Sequence, residues 1–396
     1  MSDLPPLHPS KARFYELDIL RGVAAVLVVF YHYKHFLLIS EAAGFDYADL
    51  PFQDLLMPLY LYGQFFVELF FAISGYVFFW LYADAIKTRR TGPVRFFIAR
   101  FARLYPLYFV TLVAAAVLQI AYTHVSGASF IYSDNTSFNF VLSLFMVQQW
   151  WPGAVQTFNG PAWSISVEVF LYALFFLICY LRRTSYFVLL LLIVIGLTIK
   201  DMDALSDFAR GMPHFFIGGL VFYLVQWLRA DGREKIRKAV TIGLGIVLPV
   251  LAVISFVRGR VPGQLHGNDL VSTVFSVDSF IYIFLPLFLL QIGLMQGHWK
   301  VSLMSRETLH RWSWIGDISY AVYLIHFPLQ LAMMLILSAW PAATRLAIFS
   351  SPITLIGFMG TACGLAWLSH RYFEMPMQRF LRGWMGERLD KPKALG

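Results

Sequence analysis

The sequence has little charge and almost no cysteine. Of its 396 residues, 14% are Asp, Glu, Lys or Arg, whereas 59% are hydrophobic. A soluble domain carries about a quarter charged residues, so this chain has too little polar surface to cover itself in water. Its only two cysteines, Cys179 and Cys363, lie in apolar runs, and its 38 phenylalanines exclude a disordered chain. The composition predicts an all-α, polytopic membrane protein.

We expect no cleaved leader, no internal duplication and no soluble domain in this chain. Residues 1–17 are polar and contain no apolar core followed by a small-residue cleavage site, so we expect the first apolar segment to be retained. The net charge of +8 does not indicate a nucleic-acid partner, because the basic residues form short clusters between apolar stretches. We predict a cytoplasmic segment 1–17, a transmembrane domain 18–373 and a cytoplasmic tail 374–396.

The number of membrane spans follows from hydropathy and charge. A spanning helix needs about 20 apolar residues, and the stretch 138–150 is too short. If it does not cross, the basic clusters after it all fall on the side of the N-terminus, as the positive-inside rule requires. We therefore predict both termini in the cytoplasm and 138–150 as a re-entrant or interfacial segment on the outer side. The ten predicted spans are 18–39, 59–83, 104–122, 161–181, 186–199, 211–228, 239–257, 270–296, 314–338 and 346–370.

Ionisable side chains within these spans are candidate functional residues, because they are costly to place in hydrocarbon. His32, Glu68, Glu168 and His326 fall in the middle to outer half of the bilayer. Two imidazoles and two carboxylates at similar depth form a candidate acid–base constellation. Metal binding stays open as an alternative, although the spacings match no metal motif. A single buried histidine could equally be structural, with its ring satisfied by a neighbouring helix.

A second group of candidates is basic and lies near the predicted inner interface. Arg100 and Arg103 are one helical turn apart, so they are either an orientation signal or a phosphate site. Arg21 lies eleven residues before His32 on the same helical face, about 16 Å away along the axis. The basic group would thus lie closer to the cytoplasm than the histidine.

Several motifs follow one another in the first half of the chain. LDILRGVAAVLVVFYHY contains an arginine, ten residues and a histidine, here Arg21 and His32. FFVELFFAISGYVF places Glu68 before a Ser-Gly pair. PAWSISVEVFLY is a Trp-Ser-x-Ser-x-Glu segment that contains Ser166 and Glu168.

The remaining motifs complete the set, one of them before the Trp-Ser-x-Ser-x-Glu segment and the others after it. RFFIARFARLYPLYF carries Arg100 and Arg103, and RGMPHFFIGGL carries Arg210. ISYAVYLIHFPL contains Tyr320 and His326, and SHRYFEMPMQRF follows it. The ordered set resembles the membrane acyltransferase-3 family, the O-acyltransferases of bacterial glycans and related small molecules.

The resemblance implies a donor, an acceptor and a place in the cell. The donor would be acyl-CoA, usually acetyl-CoA, arriving from the cytoplasm, with no metal. The acceptor would be a hydroxyl of a cell-surface or exported glycan, such as a polysaccharide or a lipid-linked precursor. The membrane would be the bacterial inner membrane, so that membrane lipid surrounds the protein.

The resemblance also implies roles for individual residues. His32 would be the general base or would carry the acyl group itself, with Glu168 or Glu68 orienting it. The residues implied to bind substrate or donor are Arg21, Arg100, Arg103, Arg210, Ser166, Tyr320 and His326.

The sequence departs from the family pattern at two points. Val169 stands where the family often has a second acid after Glu168. Many relatives carry an appended hydrolase-like domain, which is not seen after the last predicted span. We therefore expect either transfer by this chain alone or completion by a partner protein.

Two other function classes compete with this interpretation. A proton-coupled transporter or flippase would also contain carboxylates and histidines inside the membrane, but the sequence shows no repeated half. A non-catalytic scaffold would not account for so many ionisable groups at depth.

Overall fold

The computed structural model describes residues 13–38, 46–151, 153–200, 206–258, 276–295 and 305–387. Within these ranges the regular structure is helical throughout, which confirms the all-α prediction. Residues 1–12 of the predicted segment 1–17, part of the predicted span 270–296 and the last residues of the predicted tail lie outside the described residues. The principal helices are α1 Tyr15–Tyr33, α2 Phe66–Lys87, α3 Pro93–Ser126, α4 Trp163–Tyr180, α5 Tyr186–Lys200, α6 Ser206–Arg229, α7 Glu234–Arg258, α8 Leu285–Met295, α9 Trp314–Ile336, α10 Pro352–Ser369 and α11 Met375–Glu387.

These helices account for the predicted spans, which confirms a polytopic membrane bundle. Each predicted span overlaps a helix, including α1, whose 19 residues contain charged side chains near one end. Two of the helices, Tyr186–Ile199 and Phe280–Met295, are shorter than a typical span. Within the described ranges, seven helical stretches are long and apolar enough to cross a membrane: Gln53–Lys87, Pro93–Ser126, Gly160–Tyr180, Arg210–Arg229, Glu234–Arg258, Glu307–Ile336 and Pro352–Met385.

The segment 138–150 contains only a short helix, Ser137–Leu144. Eight residues extend about 12 Å, so this helix cannot cross about 30 Å of hydrocarbon. The chain then folds back onto α4. There the backbone N–H of Gln149 donates to Ser166 Oγ at 3.2 Å, and Trp150 Nε1 donates to the Ser166 carbonyl at 3.0 Å. The segment is therefore too short to form a spanning helix, and its re-entrant or interfacial position on the outer side stays a prediction.

Glycines allow two pairs of helices to approach closely. At the crossing of α1 and α9, a Cβ added to Gly316 would lie 2.1 Å from the Asp18 carbonyl oxygen. At the crossing of α2 and α6, a Cβ added to Gly218 would lie 2.0 Å from the Ala72 carbonyl oxygen. Helices pack in membranes through such small residues, because apolar side chains gain little over lipid. These two crossings bring together the helices that carry His32, Glu68, Arg210 and His326.

Polar contacts join helix ends that the charge pattern predicts on the same side. Before α1, Arg13 Nη2 lies 2.5 Å from Asp317 Oδ1 at the start of α9. At the opposite end of α1, the Tyr33 hydroxyl donates to the Phe349 carbonyl at 2.8 Å. Both pairs agree with the predicted alternation of the helices.

At two of the boundaries that differ from the prediction, the helix extends well beyond the predicted span. α3 begins at Pro93 rather than near residue 104, and the helix that starts at Pro352 continues through residue 374, where the tail was predicted to begin. Hydropathy marks where a helix enters hydrocarbon, whereas helices such as these, each 34 residues long, extend beyond it. A π-helical turn, His370–Glu374, joins α10 to α11.

Candidate active site

Two adjoining cavities lie among α1, α2, α3, α4, α9 and the α10–α11 junction. We call the one of about 120 Å³ the inner cavity and the one of about 340 Å³ the polar cavity. Arg21, Arg103 and Tyr320 line both, so the two spaces adjoin at these side chains. The lining of the polar cavity comprises Arg13, Asp18, Arg21, Arg103, Asp317, Tyr320, His370, Glu374, Met375 and Gln378.

Three predicted arginines line the inner cavity. Arg21 Nη2 donates to Ser319 Oγ at 3.2 Å, and Arg100 Nη2 donates to the Tyr82 hydroxyl at 2.8 Å. Arg103 makes no hydrogen bond or ion pair with any described residue, although it faces both cavities. Its guanidinium group is therefore available to an anion where the cavities adjoin.

Glu168 lies with the arginines in the inner cavity. Its Oε1 accepts hydrogen bonds from Ser74 Oγ at 3.0 Å and from the Tyr172 hydroxyl. The carboxylate therefore faces α2, on which Ser74 lies. The structure does not bring Glu168 into hydrogen-bond contact with His32.

His32 is paired with the second predicted histidine instead. His32 Nδ1 lies 2.8 Å from His326 Nε2, and the two rings are nearly parallel, with 7° between their planes. His326 is fully buried and His32 is 9% exposed. Gln330 Nε2 donates to the His32 carbonyl at 2.8 Å, which ties α9 to α1 beside the pair. His35 touches the His32 ring, with 4.9 Å between ring centroids.

Glu68 and Arg210 form a separate buried ion pair. Arg210 Nε lies 3.0 Å from Glu68 Oε1, and the guanidinium group lies 4.5 Å from the centre of the Trp163 ring. Burial raises the pKa of Asp207, which lies just before the membrane-spanning part of α6, and the charge of Arg210 opposes that rise. Glu68 is 1% exposed and is bonded to Arg210 rather than to His32.

Each carboxylate predicted to orient His32 is thus engaged elsewhere. Spacing along a helix gives the depth of a side chain but not the neighbour that it faces. Glu168 faces Ser74 and Tyr172, and Glu68 faces Arg210. Among the described residues, the partner of the His32 side chain is an imidazole.

Three more predicted residues have contrasting positions. Tyr320 lines both cavities and donates its hydroxyl to the Leu104 carbonyl at 2.7 Å. Ser166 is fully buried, and its hydroxyl oxygen accepts a hydrogen bond from the backbone N–H of Gln149. It does not line either cavity. Arg210 is likewise absent from the lining of both cavities.

One face of α9 connects the cavities to the histidine pair. Tyr320, Tyr323 and His326 follow one another at intervals of three residues, which places them on one face. Tyr323 lines the inner cavity, and its ring centroid lies 6.1 Å from that of His326. From Tyr320 to His326 the helix rises about 9 Å.

Tyr172 and Gln330 contact the predicted site residues but are not among those predicted from the sequence. Each lies four residues after a predicted site residue, namely Glu168 and His326, so the i, i+4 rule for helical neighbours was the available signal. Within the described ranges, no three His, Cys, Asp or Glu side chains are grouped so that they could hold a metal ion.

Comparison with known proteins identifies the family. A family model described as an acyltransferase domain matches residues 14–371, which is nearly the whole chain. The chain belongs to the acyltransferase-3 family. The resemblance in the ordered motifs is thereby confirmed.

Three relatives show how far the similarity of this acyltransferase-3 chain extends. Acyltransferase MdmB of Streptomyces mycarofaciens is 30% identical over 42% of this chain and 39% of its own length. Protein 2 in the picA locus of Rhizobium radiobacter is 34% identical over 29% of this chain and 48% of its own. Peptidoglycan O-acetyltransferase OatA of Listeria monocytogenes is 24% identical over 92% of this chain and 55% of its own. The chain spans about half the length of these relatives or less, and no solved structure matches it.

Proposed function

We propose that this protein is a membrane O-acyltransferase that moves an acyl group, acetyl in the simplest case, from cytoplasmic acyl-CoA to a hydroxyl of a cell-surface or exported glycan. The bacterial inner membrane would hold it with both termini in the cytoplasm. The observation that carries the proposal is the shared lining of the two cavities by Arg21 and Arg103. A polar space at one end of the bundle thereby adjoins a narrower space inside it.

The polar cavity suits the nucleotide end of the donor. Coenzyme A carries several phosphate charges, and guanidinium groups bind phosphate through forked hydrogen bonds. Arg103, which makes no hydrogen bond or ion pair among the described residues, and Arg21 would contact these phosphates. The charge pattern predicts this end of the bundle to be cytoplasmic, where acyl-CoA is found.

The inner cavity suits the pantetheine arm and the thioester. Apolar residues including Phe70, Phe71 and Val77 make up part of its lining. The α9 face that carries Tyr320 and Tyr323 leads from this cavity to His326 and His32. The acyl group would thus approach the histidine pair from the cytoplasmic side, and the acceptor hydroxyl would approach from the outer side.

His32 would act there either as the general base on the hydroxyl or as the acyl carrier. The name of OatA, a peptidoglycan O-acetyltransferase, supports an acetyl donor and a glycan acceptor.

Turnover by the purified protein tests this proposal against the transporter alternative. The full chain, reconstituted in liposomes, is supplied with acetyl-CoA, and free thiol is measured with and without glycan extracted from the host envelope. We expect glycan-dependent release of coenzyme A. Release that does not require glycan, or no release while labelled glycan crosses the bilayer, would contradict the proposal.

The acceptor itself is identified by mass spectrometry of surface and exported glycans. Cells with and without the gene are compared for a mass difference of one acyl group. A missing acyl group that returns with the wild-type gene, but not with His32→Ala, would assign the acceptor to this site.

A further inference from the structure

The hydrogen bond between the two histidines requires a definite arrangement of protons. It joins two ring nitrogens, His32 Nδ1 and His326 Nε2, at 2.8 Å. In a neutral imidazole one nitrogen donates and the other accepts, so one of these two atoms must carry the hydrogen. The geometry of the pair alone does not say which one.

The other nitrogen of His326 resolves the choice. His326 Nδ1 lies 3.2 Å from the backbone oxygen of Val322, one turn earlier on α9. A carbonyl oxygen can only accept a hydrogen bond, so Nδ1 of His326 carries a proton. If His326 is neutral, its Nε2 is therefore the acceptor.

The surroundings favour a neutral His326. Its side chain is fully buried, and no carboxylate among the described residues forms an ion pair with it. Burying an unpaired charge in such a place is costly, whereas a neutral ring with both nitrogens hydrogen-bonded is satisfied. His32 must then donate from Nδ1, which leaves the lone pair on its Nε2.

We infer that His326 is a positioning residue that holds His32 as the Nδ1–H tautomer, so that Nε2 of His32 is the atom that reacts. The inference rests on the proposed function for its chemical meaning. A histidine side chain free in water favours the opposite tautomer, with the hydrogen on Nε2, which could not accept a proton there. The Val322 carbonyl, through His326, thus performs the role that the sequence assigned to a carboxylate.

In the base mechanism, Nε2 of His32 accepts a proton and later returns it. Nε2 of His32 takes the hydroxyl proton while the hydroxyl oxygen bonds to the thioester carbonyl carbon. The carbon–sulfur bond then breaks, and the proton on Nε2 passes to the leaving coenzyme A thiolate. If His32 instead carries the acyl group, the same lone pair attacks the thioester carbon, and the carbon–sulfur bond breaks to release the coenzyme A thiolate. The acceptor hydroxyl then attacks the acyl-imidazolium, the bond from the acyl carbon to Nε2 breaks, and the hydroxyl proton passes to the thiolate. In both cases the Nδ1–H bond to His326 stabilises the positive charge that develops on the ring.

The exposure of the two rings agrees with this division of roles. His326 is completely enclosed, so it cannot meet a substrate directly, whereas His32 retains 9% of its surface. Nε2 of His32 forms no hydrogen bond with any described residue. The reactive nitrogen is therefore the one that a substrate can reach.

The test measures the tautomer directly, without needing turnover. The full chain is labelled with ¹⁵N-histidine and reconstituted in lipid nanodiscs, and the His32 signals are assigned by their loss in His32→Gln. Protonated and unprotonated ring nitrogens resonate far apart. We expect His32 with a protonated Nδ1 and an unprotonated Nε2. A wild-type spectrum with the proton on Nε2 would overturn the inference, whether or not the protein is an acyltransferase.

Three variants test the positioning role. His326→Leu removes the acceptor, so we expect the ring proton of His32 to move from Nδ1 to Nε2. The kcat should fall about tenfold to a hundredfold, and the KM for acyl-CoA should change little. His326→Gln offers an amide oxygen to Nδ1–H and should restore part of both. His35→Gln is the control, because His35 touches the His32 ring but does not bond to it. An unchanged His32 tautomer in folded His326→Leu would overturn the positioning role.

Discussion

His32 is the side chain on which the proposed chemistry depends. It lies beside His326, the last residue of the α9 face that begins at the cavities. Its Nδ1 is hydrogen-bonded to His326 Nε2. We expect His32→Ala to lower the transfer rate by at least two orders of magnitude, since a positioned base contributes about 10²- to 10⁴-fold. The measurement is glycan-dependent coenzyme A release at saturating acyl-CoA.

The control for this prediction is His35→Ala, one turn further along the chain. His35 is as buried as His32 but forms no hydrogen bond with the pair, so its loss should affect the rate much less. Near-normal transfer by His32→Ala, in protein that is folded and inserted, would return His32 to a purely structural role.

Arg103 tests the donor site, because it faces both cavities without a protein partner among the described residues. A charge-assisted hydrogen bond contributes about 1.5–3 kcal/mol, so Arg103→Ala should raise the KM for acyl-CoA about tenfold to a hundredfold. Arg103→Lys should recover only part of the loss, since an ammonium group cannot make the forked contact. The loss should be larger at low ionic strength, where charges are less screened.

Arg95 on the same helix provides the matched control. It is exposed and lines neither cavity, so Arg95→Ala should leave the KM for acyl-CoA unchanged. Equal effects of Arg95→Ala and Arg103→Ala would mean that the arginines act only as an orientation signal.

The residues of the site could be predicted from the sequence in type and depth, but not in partnership. His32, His326, Glu168 and Arg103 stand out because ionisable groups are rare in apolar helices. The pairing of His32 with His326 depends on how α1 and α9 cross, which the spacing of residues along either helix does not encode. The Val322 carbonyl leaves no sequence signal at all, because every residue has one.

At the scale of whole helices, the α2–α6 crossing sets the geometry around the Glu68–Arg210 pair. A methyl group on Gly218 would lie 2.0 Å from a backbone oxygen of α2, which cannot move as a side chain can. We expect Gly218→Ala to destabilise the protein by about 1–3 kcal/mol or more, the cost of overpacking, and to lower the midpoint of thermal unfolding in detergent.

Gly360→Ala on α10 is the matched control for this crossing. No heavy atom of a neighbour lies within 4 Å of a Cβ built there, and the added methyl group removes a helix-weakening glycine. A thermal midpoint for Gly218→Ala equal to that of Gly360→Ala would contradict the close approach of α2 and α6.

Hydropathy located the helices well and their ends poorly, for a physical reason. The signal measures the fit of a segment to hydrocarbon, which is why each predicted span coincides with a helix. It says nothing about helix outside the membrane, such as the turns of α3 that begin at Pro93 or α11, which continues to Glu387. The first of these extensions carries Arg95 and Arg100, and the π-helical turn before α11 lines the polar cavity.

At the scale of the whole molecule, the mechanism requires that the polar cavity open to the cytoplasm and that segment 138–150 lie on the outer side. Helix Ser137–Leu144 is too short to cross, so the exposed residues on either side of it, Ser133 and Val155, should lie on one side of the membrane. The turn between α6 and α7, at Asp231, should lie on the other. Charge predicts the first pair outside and the turn inside.

Cysteine labelling in intact cells decides between the two orientations. The background carries Cys179→Ala and Cys363→Ala, and single cysteines are placed at Ser133, Val155 and Asp231. A membrane-impermeant maleimide should label the first two from outside and the third only after the cells are opened. If only the cysteine at position 231 were labelled from outside, the orientation of the protein would be the reverse of the predicted one. The polar cavity would then lie on the outer side, where acyl-CoA is not found. Labelling that separates Ser133 from Val155 would make 138–150 a true crossing. Because acyl-CoA must enter from the cytoplasm, the inverted orientation would remove the donor path through Arg103 and Arg21, whatever the His32 variants show.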